Sequence, residues 1–365
     1  MIKRSSGKTP GIVCILLIMV LLAACGAPAA QSPAQSEAEG PADDLAAALA
    51  NMKPLTLNWA ICMGSSHRAN EVFNYFCDRV NELTEGKVTI TQYAGETLVK
   101  NTDIYESLKN GIVDMGEADP SYSFSYFPLI SAYFLSGISF NSSQAATYAA
   151  DEWFRSDFAE LRDVKYLWAF GMSPSDLLTN KKIETLADFK GVQIRATGYA
   201  ISAVERLGAS AVGITPAETY EALLKGTADA ALMPSEALIN WNFGEVLKYD
   251  ANISGLSTVT HYIAMNMDRW NSLPPAVQQV FLDVSAECVD MIAPLWDEMD
   301  KEGIAFGEQN GMEYYDVPLD VLQTWWDALA PLQDEWVQER AAKGLDAQAA
   351  LDRLKSLAEK YNARY

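Results

Sequence analysis

Histidine is scarce in this chain, with only His67 and His261 in 365 residues, and the usual catalytic signatures are missing. There is no GxSxG elbow, no HExxH helix, no Walker loop and no dinucleotide fingerprint, so hydrolase, zinc-protease and nucleotide chemistry have no local foothold. Neither a nucleophile beside its base nor a cluster of metal ligands is readable, and no cofactor or metal is expected. An active site built from carboxylates alone is still open, because 48 acidic residues offer pairs by chance. Basic residues are few. The 27 Lys and Arg leave a formal charge of −21, which excludes the cationic face that a nucleic acid needs. Of the five cysteines, Cys62, Cys77 and Cys288 lie in the body, and an odd count excludes a fully paired framework. A Cys62–Cys77 disulfide and three small buried thiols both fit that count.

Long apolar runs are also missing, with one exception. Lys3-Arg4, the apolar stretch Ile12 to Leu22 and Leu22-Ala23-Ala24-Cys25-Gly26 form a basic region, a short hydrophobic region and a small-residue cleavage site. This is an export signal over residues 1–24, about half as long as a permanent span requires. The block resembles a bacterial lipobox, which makes Cys25 the lipidated residue and places the body outside the cytoplasm, in a periplasm or at a cell surface. An ordinary signal peptide ending near a cysteine is the alternative. Losing Lys3, Arg4 and Lys8 with the leader takes the net charge from −21 to about −24. Residues 25–53 are rich in Ala, Pro, Gln, Ser and Glu, a composition that buries too little surface to fold, and read as a tether up to about Pro54.

The remaining residues suffice for two cores. Leu55 to Ala60 alternates as a strand; Ser65-Ser66 then cap a helix carrying Val72, Phe73, Phe76, Val80 and Leu83 on one face. Lys87 to Tyr93 reads as a strand, Ile104 to Leu108 as a helix and Ile112 to Met115 as a short strand. The pattern restarts with strands at 191–195, 211–214 and 228–233 around helices at 199–207 and 216–224. Two such runs predict two α/β lobes with mostly parallel sheets, and ligands on such sheets bind beyond the carboxyl ends of the strands. The loops after Ala60, Met115, Ile194 and Met233 are therefore the place for a site. Beyond Leu273-Pro274-Pro275 the chain reads as helical nearly to its end.

Arg195 closes an otherwise apolar strand just before Ala196-Thr197-Gly198, where a guanidinium can reach a crevice and grip a carboxylate with two bonds. From the pattern alone, a surface arginine at a strand end is the commoner arrangement.

The segment from Leu186 to Gly198 is followed by Leu207-Gly208-Ala209, Thr219 to Leu223, Gly226-Thr227-Ala228-Asp229, Met265-Asn266 and Trp270 to Pro274. Together with His67, Tyr93-Ala94-Gly95 and Gly111 to Gly116 upstream, this order resembles the substrate-binding subunits of TRAP transporters, in their lipoprotein form. The resemblance covers the chain from Leu55 to the C-terminal region. It implies a two-lobe, periplasmic-binding-protein-like (Venus flytrap) fold, with two β-sheets flanked by helices and a long helix crossing both lobes. Lobe I is expected at 54–173 plus 260–298, and lobe II at 174–259 plus 299–365 with the C-terminal helices.

The resemblance also implies that Arg195 holds the carboxylate of a small organic acid while the lobes close, turning the pattern-only reading around. The family's asparagine after the strand at Ala228–Ala230 is absent, Ala231-Leu232-Met233-Pro234 standing there instead, and a second family arginine near Ser173–Asp176 is absent as well. A monocarboxylate then fits better than a dicarboxylate. Trp168, Phe170, Tyr122, Met233 and Trp241 are candidates for an apolar or aromatic lining, each reading equally as core. Thr197, Ser235, Asp119 and His67 complete the candidate site. Glu117 and Asp119 are expected to face solvent; a carboxylate facing Arg195 would instead accept an ammonium group and make the ligand an amino acid. The implied partner is an ion-gradient membrane permease approached by a monomeric, lipid-anchored protein. A sensory ectodomain partner of a receptor and a periplasmic enzyme are the alternatives.

Overall fold

Residues 41–158, 160–253 and 256–365 are described in a computed structural model; the export signal and Cys25 lie outside them. The first lobe is built on β1 (Leu55–Ile61), β2 (Val88–Tyr93), β3 (Met115–Ala118) and β4 (Val164–Gly171). The chain then crosses to β5 (Asp176–Thr179), β6 (Gln193–Arg195), β7 (Ser210–Val212), β8 (Ala230–Met233) and β9 (Tyr249–Asn252). It returns as β10 (Thr260–Asn266) and leaves again for β11 (Glu313–Asp316). One sheet has the order β2-β1-β3-β10-β4 and the other β11-β9-β5-β8-β6-β7.

Both sheets are mixed, a departure from the mostly parallel expectation. β10 runs antiparallel between β3 and β4, and β5 runs antiparallel between β8 and β9. These are the strands that the returning chain inserts, and a local βαβ pattern carries no sign of them. The short strand expected at 112–115 forms instead at Met115–Ala118, and the helix after β1 starts at Asn70 with Ala69 at its N-cap, so Ser65-Ser66 lie in a preceding turn and do not cap it.

The expected tether is shorter than its composition suggested. Pro41–Asn51 is helical and tucks Leu49 into the first core, so the folded body begins before Pro54. The C-terminal helices also depart from the expected division. Ala347–Asn362 packs on the first lobe, where Arg353 and Lys360 reach Glu152 and the Asn362 side chain accepts the Asn141 N–H at 2.8 Å. Leu319–Leu329 stays on the second lobe, with Trp325 edge-on to Phe189. Helical propensity in this stretch is blind to which sheet each apolar stripe will cover.

Pro275–Ile292 buries Val277, Phe281, Val284 and Cys288 against the first lobe, and Leu295–Gln309 continues across to the second. The helix bends at Ala293-Pro294, since proline has no N–H to donate and clashes with the preceding turn. Ser143 enters the gap. Its hydroxyl donates to Ala293 O at 2.6 Å and accepts the Asp297 N–H at 3.1 Å, replacing one helical hydrogen bond with a bridge to the first lobe. On the far side the backbone of the second lobe lies against Gly303, where an added Cβ would sit 2.1 Å from Ser235 O. Gly303→Ala is therefore expected to cost about 2 kcal/mol or more through overpacking. Urea unfolding of the variant measures this, and unchanged stability would mean that the crossing relaxes freely.

Candidate ligand site

The loops after β1, β3, β6 and β8 converge between the lobes, as the strand-end rule predicts. They line a narrow pocket walled by Cys62, Met63, Asp119, Tyr122, Arg195, Thr197, Met233, Pro234 and Glu236, with Met172, Trp241, Val259 and His261 among the other wall residues. Methionines, Trp241, Val259 and two prolines make most of the wall apolar, and a few polar groups converge within it.

Arg195 is buried in this wall with only 3% of its surface exposed. Its Nε donates to Ile214 O at 3.1 Å and one Nη donates to Tyr122 Oη at 3.1 Å. Ile214 is held in place by the next turn: Thr215 and Glu218 form a capping box in front of Pro216–Lys225, with the Thr215 N–H 3.1 Å from the Glu218 carboxylate. Among the described residues no carboxylate lies within ion-pair distance of Arg195; its hydrogen-bond partners are neutral, and the buried Asp119 carboxylate of the same pocket feels it only at longer range. Tyr122 belongs to the first lobe, and its hydroxyl spans the cleft to Arg195 and, at 3.4 Å, to Ile214 O. Beside it, Phe124 stacks on Tyr199 with ring centroids 5.2 Å apart. Gly198, at φ +54°, lets the second lobe approach Ser121 and Phe124 where a side chain would collide. The cleft is closed.

Five predicted residues share the cavity: Arg195, Tyr122, Asp119, Met233 and Thr197, with Trp241 beside them. Four do not line it. Trp168 and Phe170 are core, because β10 lies between their strand and β3 and their rings pack on Phe73 and, for Phe170, on Trp296. Ser235 lies beneath the floor, donating toward Asp176 at 2.9 Å and Asp250 at 2.7 Å. His67 stands behind Glu236, with Nε2 3.3 Å from its carboxylate and Nδ1 accepting the Ala69 N–H at 3.1 Å.

The expectation that Glu117 and Asp119 face solvent is corrected: they are 0% and 5% exposed. Glu117 accepts the Cys62 N–H at 2.9 Å and the Cys62 thiol at 3.0 Å with one oxygen, and meets His261 Nδ1 with the other. Burial works against charge on both members, but their mutual attraction prevails, holding the Glu117 carboxyl below its ordinary range and His261 above its own. Asp119 moves the other way. Burial raises it, offset in part by His261 and by the Ser121 N–H that its side chain accepts at 2.7 Å. His261 and Met172 were invisible as site residues, since strand pairing across distant segments brings them there. Cys62 Sγ, Glu117 and His261 Nδ1 fall within 4.8 Å of one another, a spacing that a cation could use. Burial and the neighbouring Glu117 raise the Cys62 thiol so that it keeps its proton, and the three groups form a hydrogen-bonded chain instead. Cys62, Cys77 and Cys288 are all free buried thiols, and the Cys62–Cys77 disulfide does not form.

Residues 61–340 match the model of the bacterial extracellular solute-binding proteins of family 7, DctP. The chain belongs to that family. Among solved structures it is similar to a TRAP solute-binding protein from Rhodoferax ferrireducens T118 in complex with copurified benzoate. That pair is 22% identical with a TM-score of 0.79, covering 85% of this chain and 99% of that one. A TRAP periplasmic solute-binding protein from Desulfovibrio salexigens DSM2638, in an open complex, is 28% identical with a TM-score of 0.75, over 85% and 98% of the two chains. A monocarboxylate 2-oxoacid-binding periplasmic protein of Nostoc sp. PCC 7120 is 22% identical over 273 residues, 68% of this chain and 69% of that protein. The protein is a TRAP solute-binding protein rather than an enzyme.

Beneath the floor of this solute-binding site, Asp176 and Asp250 share the single Ser235 hydroxyl, and Asp300 accepts the Glu236 N–H at 2.9 Å. One hydroxyl hydrogen cannot serve two carboxylates, so one of that pair keeps a proton. Burial pushes Asp176 well up, helped by Asp250, and takes Asp250 to about 6 and Asp300 to about 7, from an ordinary 3.8. The folded state thus binds these protons more tightly than the unfolded chain, and stability falls as pH rises from about 4 to above 7. The raised His261 adds stability that is present below 6.5 and lost as pH climbs through its folded value, whereas the lowered Glu117 loses its contribution only below 4.5. The body is therefore expected to melt higher at about pH 5.5 than at pH 8. Asp300→Asn, which keeps an acceptor for Glu236, should stabilise by about 1–4 kcal/mol at pH 8 and shrink that difference. Melting curves across pH decide it; a rise in stability from pH 5.5 to 8 would refute the account.

Proposed function

We propose that this solute-binding protein captures a small monocarboxylate with an apolar or aromatic body and hands it to a TRAP membrane permease, held near the bilayer by a lipid on Cys25. The observation that carries the ligand class is Arg195, a buried cation with one Nη uncommitted, aimed into a largely apolar cavity between closed lobes. A carboxylate there neutralises the cation and forms charge-assisted bonds with Arg195, with Tyr122 beside it. The acid touches both lobes only when they are closed, so its binding energy favours that form. The benzoate and 2-oxoacid ligands of the similar proteins are of this chemical kind. The permease recognises the closed body, and the lipid keeps the two within reach.

Thermal melting of the body from Pro41 onward, with aromatic acids, 2-oxo acids and neutral analogues, tests the clamp. An acid at a hundred times its dissociation constant should stabilise the wild type by about 2.7 kcal/mol and leave Arg195→Ala unmoved. Equal stabilisation of the two, or stabilisation by a neutral analogue alone, would overturn the carboxylate reading. For the anchor, Cys25→Ser is expected to release the full chain from the membrane fraction after cell lysis; retention there would overturn lipidation at that residue.

A further inference from the structure

β10 brings His261 to the cavity from the first lobe, opposite the arginine of the second. The antiparallel register pairs Tyr262 with Ala118, and one step further along the ladder sets His261 beside Asp119. The two are 4% and 5% exposed, and each perturbs the other's ionisation. Glu117 holds the imidazole through Nδ1, and Phe170 stacks on the ring at 5.3 Å, so the ring plane is not free to drift. In its ion pair with the Glu117 carboxylate the ring is the imidazolium: Nδ1–H goes to Glu117, and Nε2–H has no partner among the described residues and is not sealed off from the cavity. Asp119 has room for one more bond: one oxygen accepts the Ser121 N–H at 2.7 Å, and beyond the nearby Ser121 hydroxyl and the longer-range Arg195 the other meets no donor among the described residues. Two buried polar atoms, a donor and an acceptor on neighbouring strands, thus face the same space.

Buried polar groups without partners are costly, and a site that leaves them so favours a ligand that supplies both bonds. We propose that His261 and Asp119 form a second subsite that takes a hydroxyl group on the bound acid, the hydroxyl oxygen accepting from His261 Nε2–H and its hydrogen going to Asp119. A hydroxyl is the small group that accepts and donates at once. A keto oxygen leaves Asp119 unpaired, a plain hydrocarbon leaves both unpaired, and an ammonium group has no lone pair for His261. Glu117 acts as a positioning residue, holding the imidazole toward the ligand. The inference rests on the carboxylate reading: the acid group binds Arg195 on one lobe and its hydroxyl binds the other lobe, so that the hydroxyl itself strengthens closure.

The test is titration calorimetry with three matched pairs, lactate and propionate, mandelate and phenylacetate, and 3-hydroxybenzoate and benzoate, on the wild type, His261→Gln, Asp119→Asn and Arg195→Ala. In at least one pair the hydroxylated acid should bind the wild type at least tenfold more tightly than its plain counterpart. That advantage should fall to about twofold or less in His261→Gln and in Asp119→Asn, while the plain acid keeps its wild-type affinity, an internal check that both variants fold. Affinities within twofold in every pair, or an advantage that survives both substitutions, would overturn the subsite and leave Arg195-dependent binding standing. If none of the six acids shows Arg195-dependent binding, the carboxylate reading falls and the subsite with it.

Discussion

A guanidinium taken out of water without a carboxylate to meet it is expensive, and closure of this cleft imposes that condition on Arg195. Two neutral oxygens, Ile214 O and Tyr122 Oη, offset part of the cost, and each comes with its own support. The capping box at Thr215 and Glu218 fixes the first, and the turn after β3 fixes the second. The remainder of the cost is what an anionic ligand relieves. Because the guanidinium belongs to one lobe and the Tyr122 hydroxyl to the other, relief is available only when the lobes meet, which couples solute capture to the closed shape that a permease can recognise.

The lobes can approach reproducibly because the long helix belongs to both. Its first half is fixed in the first core by an apolar stripe, and its second half lies backbone to backbone against the turn after β8 at Gly303. Proline bends the helix at the passage between them, and Ser143 satisfies the hydrogen bond that the bend opens. Under the ligand floor the buried acids Asp176 and Asp250 share the Ser235 hydroxyl, and Asp300 accepts the Glu236 N–H. Small residues and a serine let strands, turn and helix pack closely where bulky groups would push them apart.

The sequence by itself determined the α/β periodicity and the strand ends around the pocket, since these depend on local spacing, whereas the pattern alone left Arg195 as an ordinary strand-end arginine and only the family resemblance turned attention to it. What only the tertiary structure decided is where distant segments meet. β10 and β5 enter their sheets antiparallel, which carries Trp168 and Phe170 into the core and places His261 on the cavity wall. The acids Glu117 and Asp119 look solvated in sequence because nothing nearby in the chain partners them; a histidine 144 residues away buries Glu117 in an ion pair. Helical stripes near the C-terminus carry no address either: Ala347–Asn362 packs on the helix Ser143–Phe154 of the first lobe, which its own spacing does not announce. Periodicity reports the face of an element, and only packing reports what that face will meet.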